Sequence, residues 1–275
     1  MRKLKRMLPA WAAGNAAFIR QHGLAEMCFQ KDGRIIINSD YGVRLLYVPS
    51  LKRSAMDVEL SGAWERQETE TVLEHLADGQ VFFDVGANCG WFSLVAARRR
   101  PGLRVHSFEP VPQTFDLLVR NIELNGLKNI TANNVGVWDE NMELRFTSHR
   151  GPKNRIADDP AGEGLVAVPC ITLDSYVRQK GIDRLDFIKC DVEGAELHFL
   201  RGAEQTLRRF RPKLMLETQE RYAAVFGNTA EDVLSFLTNL GYGYSVVSAE
   251  AGLVPASGDM RKDLALGRDF LFTMG

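Results

Sequence analysis

After residue 80 the chain alternates short apolar runs with stretches whose apolar residues recur every three or four positions. Val81–Val85 reads as a strand, Phe92–Arg99 as a helix and Arg104–Phe108 as a second strand. Thr114–Asn125 forms a helix punctuated by Gly126, and Ile130–Val135 a third strand. The rhythm then changes: Met142–Thr147 and Leu165–Ile171 are strand-like, on either side of the polar stretch His149–Gly164. A loop of that length in a compact domain is more often functional or mobile than merely connecting. Asp186–Cys190 (strand), Ala195–Arg208 (helix), Lys213–Glu217 (strand) and Thr229–Leu240 (helix) resume the alternation. Two closing strands are expected near Tyr244–Val247 and Phe270–Met274, joined by an excursion without a clear helical pattern. The expected fold is α/β: a doubly wound, mostly parallel sheet with helices on both faces and an antiparallel C-terminal edge strand.

Residues 1–80 lack this rhythm. Ile35–Ile37 and Val43–Tyr47 suggest a hairpin, and Glu65–Ala77 a helix. The chain therefore divides into an N-terminal helical and hairpin extension, 1–78, and a ligand-binding domain, 79–275. The first 20 residues are basic and then apolar, but Pro9, Gly14 and Asn15 interrupt the apolar run that a signal peptide needs. Leu4, Met7, Leu8, Trp11, Phe18 and Ile19 mark one helical face. Such a face is expected to pack on its own domain or on a partner subunit, with an anionic membrane surface as the alternative. No run approaches the roughly 18 apolar residues of a membrane span.

Composition narrows the partners. A net charge of −1 makes no electrostatic case for nucleic acid. Cys28, Cys89, Cys170 and Cys190 are scattered without C-x-x-C spacing, so neither a zinc site nor a disulfide framework is expected. A reducing, cytoplasmic compartment fits them best.

The chemistry concentrates at strand ends. FDVGANCGWF (83–92) runs from the first apolar strand into a helix through Gly86 and Gly90. In a doubly wound sheet that turn faces the ligand crevice. The dinucleotide pattern G-x-G-x-x-G would place glycine where Asn88 stands, which argues against a diphosphate cofactor. Glu109, ending the second strand before Pro110, sits where a carboxylate accepts ribose hydroxyls. Asn134 and Val135, ending the third, suit an adenine edge. The fourth strand delivers Asp191, Glu193 and Glu196 beside Gly194, and the fifth ends at Glu217.

Together these blocks resemble the FkbM family of S-adenosylmethionine-dependent methyltransferases. The matching pieces are DVGANCGWFS (84–93), FEP (108–110), NIELNG (121–126), TLDSY (172–176), IKCDVEGAE (188–196) and LMLE (214–217). The resemblance implies a Rossmann-like fold of the class I methyltransferase type and methyl transfer to oxygen on a sugar, glycoconjugate or natural-product scaffold. It implies that Asp84, Gly86 and Gly90 line the methionine end of the cofactor and that Asn88 contacts its amino-carboxylate. Glu109 with Pro110 would hold the ribose, and Asn134 with Val135 the adenine.

Methyl transfer is an in-line displacement in which a base within reach of the acceptor hydroxyl helps. Asp191 is the expected base, also beside the cofactor, with Glu193, Glu217 and His198 as alternatives. No metal site is expected, though converging Asp191 and Glu217 could hold a divalent cation. Arg150, Lys153 and Arg155, in the loop SHRGPKNR, are candidates for an acidic group on a small-molecule or glycan acceptor. The competing readings are an NAD-dependent oxidoreductase and a non-catalytic cofactor-binding module. Homo-oligomerisation is left open.

Overall fold

The computed structural model describes residues 24–30, 34–47, 65–147, 156, 157, 162, 164–248 and 250–275. The apolar face within residues 1–20 and the basic side chains Arg150, Lys153 and Arg155 lie outside the described residues.

Five parallel strands form the centre of the main sheet: β4 (Val81–Val85), β5 (Arg104–Phe108), β6 (Ile130–Asn133), β10 (Phe187–Cys190) and β11 (Lys213–Glu217). Their spatial order is β11-β10-β4-β5-β6, so the sheet reverses its winding beside β4. Three antiparallel strands extend it beyond β11: β14 (Asp269–Met274), then β12 (Tyr242–Ser248), then β13 (Gly252–Pro255). The antiparallel end is thus a block of three strands, with β14 inserted between β11 and β12. The excursion between β12 and β14, expected to hold no helix, contains β13 and α9 (Met260–Leu266). Asp259 starts that helix by accepting from the Arg261 and Lys262 N–H groups.

The central strands are buried on both faces because helices cover both. On one face Phe83, Val85, Ile188, Leu214, Leu216 and Phe270 pack against α5 (Glu196–Gly202), α6 (Glu204–Phe210) and α8 (Ala230–Asn239). On the other, Phe82, Phe187, Met215 and Leu271 meet Val72 and Leu76 near α1 (Arg66–Glu74) and Phe92 and Ala96 of α2 (Trp91–Arg99). The period-two alternation of β4 sends Phe83 and Phe82 to opposite cores.

The expected helix Ala195–Arg208 is two helices meeting at Ala203. A Cβ on Gly202 would stand 2.0 Å from the Trp138 carbonyl oxygen, so the end of α5 seats directly on that backbone. A further helix, α4 (Leu173–Lys180), follows the Thr172 cap, whose hydroxyl accepts from the Ser175 N–H at 3.0 Å. The expected third strand stops at Asn133, and Gly136–Val137 forms β7 of a separate sheet with β8 (Met142–Thr147) and β9 (Leu165–Ile171).

A third sheet, β1 (Leu24–Phe29), β2 (Ile35–Ser39) and β3 (Arg44–Tyr47), is antiparallel. Its strand β3 docks on α3 (Pro112–Asn125) through two asparagines one helical turn apart. The Leu46 N–H donates to Asn121 Oδ1 at 2.9 Å, and the Arg44 N–H to Asn125 Oδ1 at 2.8 Å. These amides occupy backbone groups of β3 that would otherwise lack a partner.

Candidate cofactor and active site

The β4–α2 turn is clamped from both sides. The Phe108 carbonyl accepts from the Gly86 and Ala87 N–H groups at 3.0 and 2.9 Å, and the Val85 carbonyl accepts from the Asp191 N–H at 3.1 Å. Gly86 has φ of 79°, and a Cβ there would stand 1.9 Å from the Asp191 carbonyl oxygen. Gly90 has φ of 98° and faces Leu118. The two glycines are therefore required by backbone conformation and close protein packing. Asn88 between them is also left-handed, with φ of 52°.

This turn, the β5 end and the loop after β10 surround a cleft that opens to solvent. Its polar wall carries Asn88, Glu109, Thr114, Asp191 and Glu193, and its apolar wall Phe108, Pro110, Val135, Val137, Phe146 and Ile156. The structure brings together Gly86, Asn88, Glu109, Pro110, Val135, Asp191 and Glu193 as expected.

Glu109 is 6% exposed. One carboxylate oxygen accepts from the Asn88 N–H at 3.0 Å and the other from the Val111 N–H at 3.0 Å. Each oxygen keeps lone pairs for further donors. Burial pushes the carboxyl up to about 7 against the pull of those two N–H groups, and the charges of Asp84 and Asp191 push the same way. Ligand hydroxyls donating to it would favour the charged form, which suits a ribose.

Other expected residues have different roles. Asp84 is fully buried and does not line the cleft. Its Oδ2 accepts from the Ser93 N–H at 3.0 Å and the Ser93 hydroxyl at 2.5 Å, which ties β4 to the first turn of α2. Gly90 is likewise outside the lining. Asn134 donates its amide to the Glu109 and Pro110 carbonyls, at 2.9 and 3.0 Å, which braces the end of β5, and it is not part of the cleft lining. His198 stacks on Trp138 with ring centroids 3.8 Å apart and pairs with Asp139 at 2.6 Å, away from the cleft lining. Glu217 is held by Arg268 at 3.3 Å and by the Gln219 amide. Burial, then the Asp191 and Asp269 charges, raise it well above the usual carboxylate range. It does not line the cofactor cleft. Among the described residues no group of three or more His, Cys, Asp or Glu side chains could hold a metal ion.

Glu196, the first residue of α5, has a specific structural task. It is 2% exposed, and its Oε1 accepts from the Gly194 N–H at 3.0 Å and the Val192 N–H at 3.3 Å, folding the Asp191–Glu193 loop. Gly194 is needed because a Cβ would stand 2.4 Å from the Tyr222 carbonyl oxygen. Phe146 and Ile156 went unread as lining. They reach the cleft through β8 and an isolated bridge between them, for which a strand pattern gives no signal.

Asn121 links this site to the N-terminal sheet. Its Oδ1 accepts from Leu46 while its Nδ2 donates to the Cys89 carbonyl at 2.9 Å, inside the glycine turn.

The cleft lining carries three carboxylates and, among the described residues, no lysine or arginine. Three carboxylates there suit a ligand bearing positive charge. With the ribose-type carboxylate and the apolar wall, the residues present fit S-adenosylmethionine.

Comparison with known proteins agrees. The methyltransferase FkbM domain matches residues 84–244, more than half of the chain. Methyltransferase sdnD of Sordaria araneosa is 29% identical over 180 residues, which cover 54% of this chain and 70% of that protein. The 31-O-demethyl-FK506 methyltransferase FkbM of Streptomyces tacrolimicus is 52% identical over 163 residues, covering 47% and 61%. The hexuronic acid methyltransferase AglP of Haloferax volcanii is 26% identical over 144 residues, covering 52% and 58%. The matched region thus spans about three fifths of two of these relatives. The chain belongs to the FkbM family of S-adenosylmethionine-dependent methyltransferases.

Proposed function

We propose that the protein methylates a hydroxyl oxygen of a sugar, glycoconjugate or natural-product acceptor, with Asp191 as general base. The observation that carries this reading is the position of Asp191. It lines the cofactor cleft, lies beside the glycine turn, and keeps its side chain 24% exposed. The relatives named for 31-O-demethyl-FK506 and for hexuronic acid support an oxygen acceptor and its class.

Bound S-adenosylmethionine supplies an electrophilic methyl group on a sulfonium that leaves as a neutral thioether. Glu109 fixes the ribose through its two oxygens, and the wall around Val135 and Phe146 sheds water from the adenine. Gly86 and Asn88 frame the amino-acid portion. Asp191 accepts the acceptor's proton as the oxygen takes the methyl group, so the alkoxide never forms free in solution. Glu193, whose carboxylate takes a hydrogen bond from the Tyr222 hydroxyl, borders the same opening.

The acceptor enters past the β11 and β14 ends, where a second groove is lined by Thr218, Gln219, Arg221, Arg261 and Arg268. Glu220 and Glu231 line it as well, and Arg261 pairs with Glu231 at 2.9 Å, so the groove is of mixed charge and suits a hydroxyl-rich acceptor.

The test is methyl transfer from labelled cofactor to a panel of glycan and small-molecule acceptors, including 31-O-demethyl-FK506 and hexuronic acid conjugates. Asp191→Asn is expected to keep S-adenosylhomocysteine binding and lose at least about 100-fold in turnover, the scale of a general base. Near-normal turnover would remove Asp191 from the role. Thermal stabilisation by NAD and none by S-adenosylhomocysteine would overturn the whole reading.

A further inference from the structure

Lys189 has no role in the mechanism above, yet it is 6% exposed within the central sheet. Lysine is almost never buried to that degree unless its charge is paired. It stands on β10 in register with Asp84 of β4 on one side and Met215 of β11 on the other. Period-two alternation puts it on the same face as Phe187, and its ammonium lies 4.6 Å from the centre of the Phe92 ring. A methionine would pack on those neighbours without a charge to bury. Packing alone therefore does not explain the residue.

Its Nζ lies 3.3 Å from Oδ2 of Asp191. We propose that Lys189 is the counter-ion and positioning residue of Asp191, holding that carboxylate anionic and aimed at the acceptor hydroxyl. The inference rests on Asp191 being the base.

The surroundings support a fixed positive charge at this point. Burial draws the Lys189 ammonium down, but Asp191, Asp84, Glu65 and Glu217 together hold it above the usual lysine range. These four come from the loop after β10, from β4, from the start of α1 and from β11. On its other sides Asp191 faces more negative than positive charge. Glu109 and Glu196 feel its charge, as does Asp269 of β14, whereas Arg268 balances it from the groove side. The Lys189 ammonium is the cation in contact with the Asp191 carboxylate. The ammonium also occupies one of its oxygens and leaves the second for the acceptor. Lys189 does not touch the acceptor itself, being absent from the lining of both grooves.

The experiment follows the Asp191 carboxyl directly and needs no acceptor. Protein labelled with carbon-13 at the aspartate side-chain carboxyl is saturated with S-adenosylhomocysteine and titrated by NMR. Asp191→Asn identifies the resonance by its loss. In Lys189→Met that resonance is expected to titrate about one to three pH units higher than in the unaltered protein, the effect of removing an opposite charge at contact distance. Lys262→Met, which removes an exposed lysine beside Asp259, is expected to leave it in place. Thermal stabilisation by S-adenosylhomocysteine reports that the cleft is still built. If Lys189→Met does not fold, Lys189→Gln, which keeps a donor but no charge, is expected to give the same upward movement. A midpoint that moves by less than about half a pH unit overturns the proposal. Should Asp191→Asn stay active in the transfer assay while the midpoint moves, the base reading fails and the ion pair stands. An inactive Asp191→Asn with an unmoved midpoint overturns the counter-ion role alone.

Discussion

The backbone N–H of Asn88 donates to the carboxylate of Glu109 at 3.0 Å, which joins the glycine turn after β4 to the ligand-facing end of β5. The carboxylate that we propose for the ribose thus also contacts the left-handed Asn88.

Glu109 makes cofactor binding depend on pH. Burial lifts its carboxyl to about 7, and in the proposed binding mode ribose hydroxyls would donate to its charged form. Binding therefore lowers its pKa and releases a proton. S-adenosylhomocysteine affinity is expected to be highest above pH 7 and to fall about tenfold per pH unit below it, as measured by calorimetry across buffers. Glu109→Ala should lose about 1.5–3 kcal/mol of affinity at pH 8, the scale of hydrogen bonds to a charged group. A flat pH dependence, or unchanged affinity in that variant, would take Glu109 out of the ribose site.

Asn121 and Asn125 both hold β3, but only Asn121 also reaches Cys89. Replacing either by alanine leaves buried backbone groups without a partner, at about 1–3 kcal/mol each in urea denaturation. Asn121→Ala should in addition weaken S-adenosylhomocysteine binding, whereas Asn125→Ala should not. Equal binding by the two variants would show that the N-terminal sheet does not brace the turn.

Glu196 shapes the active loop at the expense of stability. Its folded carboxyl sits at about 7, against an ordinary 4.5, because it is buried. The folded state then holds a proton that the unfolded state releases. The stability this contributes is present below pH 4.5 and lost as pH rises through 7. Glu196→Gln keeps an acceptor for Gly194 and Val192 and removes the buried charge. Its melting temperature should exceed the parent's at pH 8, on the order of 2–4 °C per kcal/mol recovered, with the gap closing by pH 5. A lower melting temperature at pH 8 would mean that the charge itself is needed.

The two glycines of the turn should respond differently to alanine. Both carry left-handed backbone, worth about 1–3 kcal/mol for another residue. At Gly86 the new methyl also meets the Asp191 backbone, which cannot move without opening the site. At Gly90 it meets a Leu118 methyl at 2.6 Å, the end of a flexible side chain. Gly86→Ala should abolish cofactor binding, and Gly90→Ala should mainly lower stability. Thermal shifts with and without S-adenosylhomocysteine separate them.

Much of this was legible because strand ends carry both pattern and chemistry. Val81–Val85, Arg104–Phe108 and Lys213–Glu217 are strands with the bounds read from the chain, since runs buried on both faces need no tertiary information to be recognised. Once β4 and β5 are adjacent and parallel, the Glu109 position follows. The helix Leu173–Lys180 carries ordinary cap signals in Thr172, three residues before Ser175, and Gly181 after the last turn.

The amino-acid sequence by itself determined the alternating strands and helices, the glycine turn and the carboxylates at each strand end, because these depend on local pattern and backbone conformation. Only the tertiary structure decided which of the strand-end polar groups line the cleft. Asp84, two residues before the turn's first glycine, is drawn under α2 by Ser93, Asn134 is consumed by two carbonyls, and Glu217 is claimed by Arg268. Each of those choices is made by a partner distant in the chain, at a distance of a few ångströms that no spacing along the sequence encodes.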